Sequence, residues 1–125
     1  MVKTVAGELS GDELVEVLVQ GESEQAAYKA WWLAALAEFD RRELWAEEGF
    51  TSCGPWLAKR CGLDVRTARE YVSVSRRLQV LGRIRGALAE GRVSYSQVRA
   101  LCRVATVESE EFLLGLALAM TGGQL

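Results

Sequence analysis

The sequence predicts an all-α fold: one domain of about six to seven helices with a helix-turn-helix-like unit at its centre. Three observations carry this. Pro55 is the single proline, so no other residue blocks helical backbone. Gly21, Gly49, Gly62, Gly82 and Gly91 punctuate the chain at helix-sized intervals. No stretch alternates apolar and polar residues long enough to read as a strand. The 125 residues, half of them hydrophobic and 26% charged, suit one domain with a real core.

Each element follows from local chemistry. Asp12 to Gln20 reads as a short amphipathic helix with Leu14, Val15 and Leu18 on one side, stopped at Gly21. Residues 22–48 then form a long tryptophan-rich helix with Tyr28, Trp31, Trp32, Ala35, Leu36 and Phe39 at helical spacing. Leu33 and Ala37 widen its apolar band beyond one face, so it needs burial on more than one side. A central core helix or an oligomer contact satisfies that need.

Residues 52–80 form the helix-turn-helix-like unit. Thr51 or Ser52 caps its first helix, Pro55 is tolerated in the first turn, and Gly62 ends it. Asp64 caps a second helix from Val65 to about Val80. Residues 83–106 hold a second basic helical pair: Arg83 to Glu90, ended by Gly91, and a helix opened by the capping box Ser94 to Gln97 with Val98, Leu101, Cys102 and Ala105 as its core face. A last helix runs from Val107 to about Met120, and 121–125 reads as a frayed tail.

The slight net charge of −2 conceals a partition. Residues 1–48 carry 11 acidic and 4 basic side chains, residues 49–107 carry 3 acidic and 11 basic, and the remainder carries 3 acidic and none basic. A basic middle between acidic ends points to a polyanion partner. The alternative is internal: the acidic first helices pack beside the basic segment and neutralise it.

On the helix opened at Val65, with Ala68 set at zero and about 100° per residue, Ala68, Tyr71, Val72, Ser75 and Leu78 make the buried side. Arg76, Arg69, Ser73, Arg66 and Arg77 fall between about 80° and 180°, one exposed arc with Glu70 at its edge. Like charges on neighbouring turns repel, so such a stripe calls for an outside counter-charge. In a helix-turn-helix the second helix enters the major groove with its N-terminal residues at the base edges. Arg66, Thr67, Arg69 and Ser73 are therefore the base-contact candidates, since arginine grips guanine bidentately and hydroxyls adapt to several edges. Lys59, Arg60, Arg76, Arg77, Arg83 and Arg85 are phosphate-contact candidates, and Arg92, Arg99 and Arg103 extend that track.

Other chemistries lack their residues. The chain has no histidine, no CxxC pair and no glycine-rich phosphate loop, so neither a metal site nor a cofactor nor catalysis is expected. Cys53, Cys61 and Cys102 read as free thiols; Cys53 and Cys61 stand about 12 Å apart along one helix, beyond disulfide reach. No apolar stretch is long enough to span a membrane, and the acidic N-terminus is unlike a secretory signal, which makes cytoplasm the expected compartment.

The segment from Glu38 to Leu114, above all GFTSCGPWLAKRCGLD and LAEGRVSYSQVRAL, closely resembles the actinobacterial domain of unknown function 222 family, found in front of HNH endonuclease domains. The resemblance implies an N-terminal module, whether of a short member or of a longer protein. HNH chemistry uses histidine as base and metal ligand, so this chain is not expected to be the nuclease itself. The family typically places proline where this chain has Gly82. REYVSVSRRLQVLGRIRGALAEGRVSYSQVRAL is also similar, more distantly, to the DNA-binding helices of chromosome-partition proteins. Two functions remain open: a DNA-binding module that targets a nuclease, or an interaction module that forms a homo-oligomer through residues 22–48.

Overall fold

The computed structural model describes residues 5–120, so the expected tail at 121–125 lies outside the described residues. Six α-helices follow one another: α1 Gly11–Arg41, α2 Cys53–Cys61, α3 Val65–Leu78, α4 Gly82–Ala89, α5 Tyr95–Val104 and α6 Glu110–Met120. Short 310 helices stand at Ala6–Glu8 and Leu44–Glu48, and no strand occurs among the described residues.

The two expected N-terminal helices are one. Ser10 opens α1 with a capping box, its hydroxyl accepting from the Glu13 amide while the Glu13 carboxylate accepts from the Ser10 amide. Gly21 does not break the helix: a glycine inside a helix costs about 1 kcal/mol relative to alanine, too little to outweigh continuous hydrogen bonding on both sides. The helix ends at Arg41, short of Glu48, because Glu43 turns left-handed at φ 53° and the next residues tighten into the 310 helix. Arg41 and Arg42 hold the exposed Glu38 carboxylate at 2.5 and 2.8 Å and pull its pKa down to about 2. Trp45 Nε1 donates to Asp40 Oδ1 at 3.1 Å and folds the 310 segment back over the helix end.

The middle follows the sequence closely, except that Ser52 stands at the N-cap of α2 without a side-chain cap hydrogen bond. Gly62 ends α2 at φ 66°, and the Asp64 carboxylate accepts from the Thr67 amide at 3.2 Å to open α3. The capping box of α5 forms in both directions between Ser94 and Gln97. α3 stops at Leu78, and α4 begins at Gly82, one residue earlier than expected. α6 begins at Glu110 rather than Val107, because Thr106 and Ser109 hydrogen-bond each other in a separate turn. The N-terminus of α4 has no cap of its own; Glu110, only 4% exposed, accepts from the Ile84 amide at 2.7 Å and caps it from α6.

Two hydrophobic clusters meet on α1. Ala26, Ala30 and Leu33 pack against residues of α3, α4, α5 and α6, including Leu78, Ile84, Leu88 and Val98. Leu36 packs against Cys53, Leu57 and Ala58 of α2 and Ala68 and Val72 of α3. Gly91, at φ 74°, lets the α4–α5 turn lie on α1: an added Cβ would sit 2.1 Å from Ser23 Oγ. No described helix is long and apolar enough to cross a membrane.

Candidate nucleic-acid interface

The turn of Gly62, the half-buried Leu63 and Asp64 fixes α3 against α2, and burial of Ala68, Val72 and Ser75 turns the opposite side of α3 outward. Ser75 satisfies its buried hydroxyl on the Val72 carbonyl at 2.7 Å. Arg66, Thr67, Arg69 and Ser73 are all exposed on the outer side, as their helical spacing predicts.

The arginines of the expected stripe do not share one environment. Arg76 bends toward α1 and pairs with the buried Asp40 carboxylate at 2.6 Å, which raises the guanidinium pKa further. Arg77 turns the other way and donates to the Ala105 carbonyl at the end of α5. Neither lies loose on the surface. Arg66 and Arg69 have no hydrogen bond or ion pair to any described residue, and the same holds for Lys59 at the end of α2.

The other candidates divide into four places. Arg99 and Arg103 on α5 lean across to Glu70 of α3 at 3.4 and 3.2 Å. With Arg66, Arg69, Ser73 and Arg77 they line one open groove between α3 and α5. Arg60 pairs with Glu48 at 2.8 Å and lies over the Trp56 ring. Arg83, bound to Glu111 at 3.5 Å, and Arg92, bound to Glu90 at 2.7 Å, line a separate groove between α4 and α6. Arg85 donates to the Leu78 carbonyl at 2.8 Å and braces the α3–α4 corner. Thus α3 and α5 converge on one surface, while the α4 cations face elsewhere.

Two features of this surface were not read from the sequence. Glu70 stood only at the edge of the stripe, yet it is the hub that ties α5 to α3; its pairing with Arg99 and Arg103 is a long-range contact without a local signal. Gly54 passes under Arg69 so closely that a Cβ there would lie 2.7 Å from Arg69 Cγ. The glycine opens a second groove on the other side of α3, lined by Ser52, Gly54, Arg69, Ser73, Arg76 and Arg77. Arg69 and Ser73 therefore stand on a ridge between two grooves.

The internal-neutralisation alternative holds in part, since Asp40 and Glu48 take Arg76 and Arg60. It does not reach Arg66 or Arg69. Lys29 of α1 also crosses to the basic middle, its ammonium 4.4 Å from the Trp32 ring centroid and 4.6 Å from that of Tyr71. Burial pushes the Cys53 and Cys102 thiols up to about 11, so both stay protonated; Cys61 is free and exposed. No cluster of potential metal ligands occurs among the described residues.

No curated protein and no solved structure shows significant similarity to the chain. A family model does match, over residues 15–113, from α1 into α6. That span covers the core, the α2–α3 unit and the convergent arginines, and on this ground the chain belongs to the family described as a domain of unknown function (DUF222).

Proposed function

We propose that the chain is a DNA-binding module that presents α3 as the reading helix of a helix-turn-helix. The observation that carries this reading is the lack of any described counter-charge for Arg66 and Arg69, in a domain that pairs or hydrogen-bonds most of its other arginines. Arg66 and Arg69 lie at the N-terminal, outward part of α3, where a major-groove helix meets base edges. Thr67 and Ser73 flank them as adaptable hydroxyls. Lys59, Arg99, Arg103 and Arg77 border the same face and take phosphates, which set position without reading sequence. Arg83 and Arg92, turned toward α6, stay outside this footprint.

Targeting of an associated HNH nuclease is the role such a module would serve, and the chain supplies no histidine for that chemistry itself. The test is a binding titration of labelled duplex DNA with the parent, the Arg66→Ala, Arg69→Ala double variant and the Arg83→Ala, Arg92→Ala double variant. The first pair should weaken binding by about 2–4 kcal/mol, at roughly 1–2 kcal/mol for each cation on DNA. The second pair should leave it within about threefold of the parent. Equal loss in both variants, or no loss in the first, overturns the reading.

A further inference from the structure

The outward side of α1 carries a pattern that the core does not use. Leu14, Val17, Gly21, Glu24, Tyr28, Trp31 and Ala35 alternate three and four residues apart, the spacing of a coiled-coil seam. At about 100° per residue these positions fall within one arc of about 100°, and Ala26, Ala30 and Leu33, which face the core, lie on the opposite side. The large members of the seam are exposed: Leu14 by 39%, Val17 by 55%, Tyr28 by 64% and Trp31 by 67%. Neither Tyr28 nor Trp31 is among the stacked aromatic pairs, which join Trp32, Tyr71, Tyr95, Phe39 and Trp56.

We propose that this seam is a self-association surface on which a second copy of the chain lies antiparallel. Three features select that occupant. First, the seam positions complement one another when reversed: Leu14 meets Trp31 of the second copy, Val17 meets Tyr28, and Gly21 leaves room for Glu24. A parallel pairing would instead set Glu24 against Glu24 at the middle of the contact. Second, apart from Glu13, whose carboxylate is held in the capping box at the start of α1, the residues flanking the seam, Leu18, Gln20, Gln25, Ala27, Trp32 and Ala34, are uncharged, so they neither repel a copy nor give a charged partner a grip. Third, the area is adequate. Aromatic side chains offer about 150–250 Å² each, so the exposed parts of the four large seam residues expose roughly 500 Å² per copy, and the flanks, Leu18 foremost, bring this toward the ~800 Å² per partner of a stable interface. Tyrosine and tryptophan are also the residues that most often carry interface energy.

The inference is independent of the DNA reading, since the seam lies on α1 and the reading face on α3. It is tested by sedimentation of the full chain across a concentration series. The parent should approach twice 13.8 kDa at tens of micromolar, and Tyr28→Arg, Trp31→Arg should stay monomeric with unchanged helical content, because both side chains point to solvent. Val17→Lys, a milder change at the other end of the seam, should weaken association at least tenfold. A monomeric parent at that concentration, or a doubly substituted variant that still dimerises, overturns the proposal. Orientation is read by oxidative cross-linking in a Cys61→Ser background. Leu14→Cys with Trp31→Cys should link copies efficiently, whereas Leu14→Cys alone should not, its two sulfurs being about 25 Å apart in the antiparallel pair. Efficient linking by Leu14→Cys alone would contradict the antiparallel arrangement.

Discussion

Glu70 decides how the basic face is tuned. It holds Arg99 and Arg103 beside α3, and it also places a half-buried carboxylate in the groove where phosphates would run. Removing that charge while keeping the amide shape should favour a polyanion more than it loosens α5. For Glu70→Gln, DNA affinity at low salt is expected to rise about three- to tenfold, the ~0.7–1.4 kcal/mol of one charge interaction largely screened by water. Fluorescence anisotropy with labelled duplex measures it, and an unchanged or weaker affinity would show that Glu70 acts as a positioning group alone. Residue-level legibility was uneven for a physical reason. Side-chain direction on α3 follows from helical periodicity, so the exposure of Arg66, Arg69 and Ser73 could be read from sequence. Which carboxylate each arginine meets depends on helices 30 or so residues away, as with Arg76 on Asp40 and Arg103 on Glu70, and no local spacing encodes that.

Helix boundaries were legible where a cap or a left-handed glycine fixes them. Asp64, Ser94 and Gly62 act as their residue types dictate. Boundaries were lost where a weak local preference met a strong collective one, as at Gly21, whose cost the surrounding turns of α1 absorb. Gly82 lends itself to the converse experiment. It is the first residue of α4, where proline's fixed φ suits the helix and its missing N–H deprives no intrahelical partner, and proline is the residue the resemblance to related chains leads one to expect there. Gly82→Pro should stabilise the domain by about 0.4–1 kcal/mol, chiefly by restricting the unfolded chain. Urea denaturation checks it; a loss of stability would mean that the preceding Leu81, at φ −102° and ψ 68°, cannot accept a following proline.

At the scale of the whole molecule, the charge partition resolves into local pairing and a residue. The acidic α1 and the segment after it neutralise Arg76 and Arg60, α6 takes Arg83, and Glu70 takes two arginines of α5. What remains without a counter-charge among the described residues is Arg66 and Arg69 on the outward side of α3, with Lys59 at the end of α2 sharing the field of Glu48. If two copies join through α1, they carry two such faces, the arrangement by which paired reading helices recognise two half-sites. Each phosphate neutralised on duplex DNA contributes about −0.9 to the slope of log affinity against log salt. The four phosphate contacts, Lys59, Arg77, Arg99 and Arg103, therefore predict a slope of roughly −4 per chain, reduced by about 1 to 2 in a Lys59→Ala, Arg103→Ala variant, whereas Arg66→Ala, Arg69→Ala lowers affinity and leaves the slope in place. The most direct test is that salt series, run from about 50 to 200 mM on duplex DNA. A steep slope together with an affinity that Arg66→Ala, Arg69→Ala lowers by about 30-fold or more supports α3 as the DNA-reading helix; absence of binding at the lowest salt, or an affinity that this substitution leaves unchanged, contradicts it.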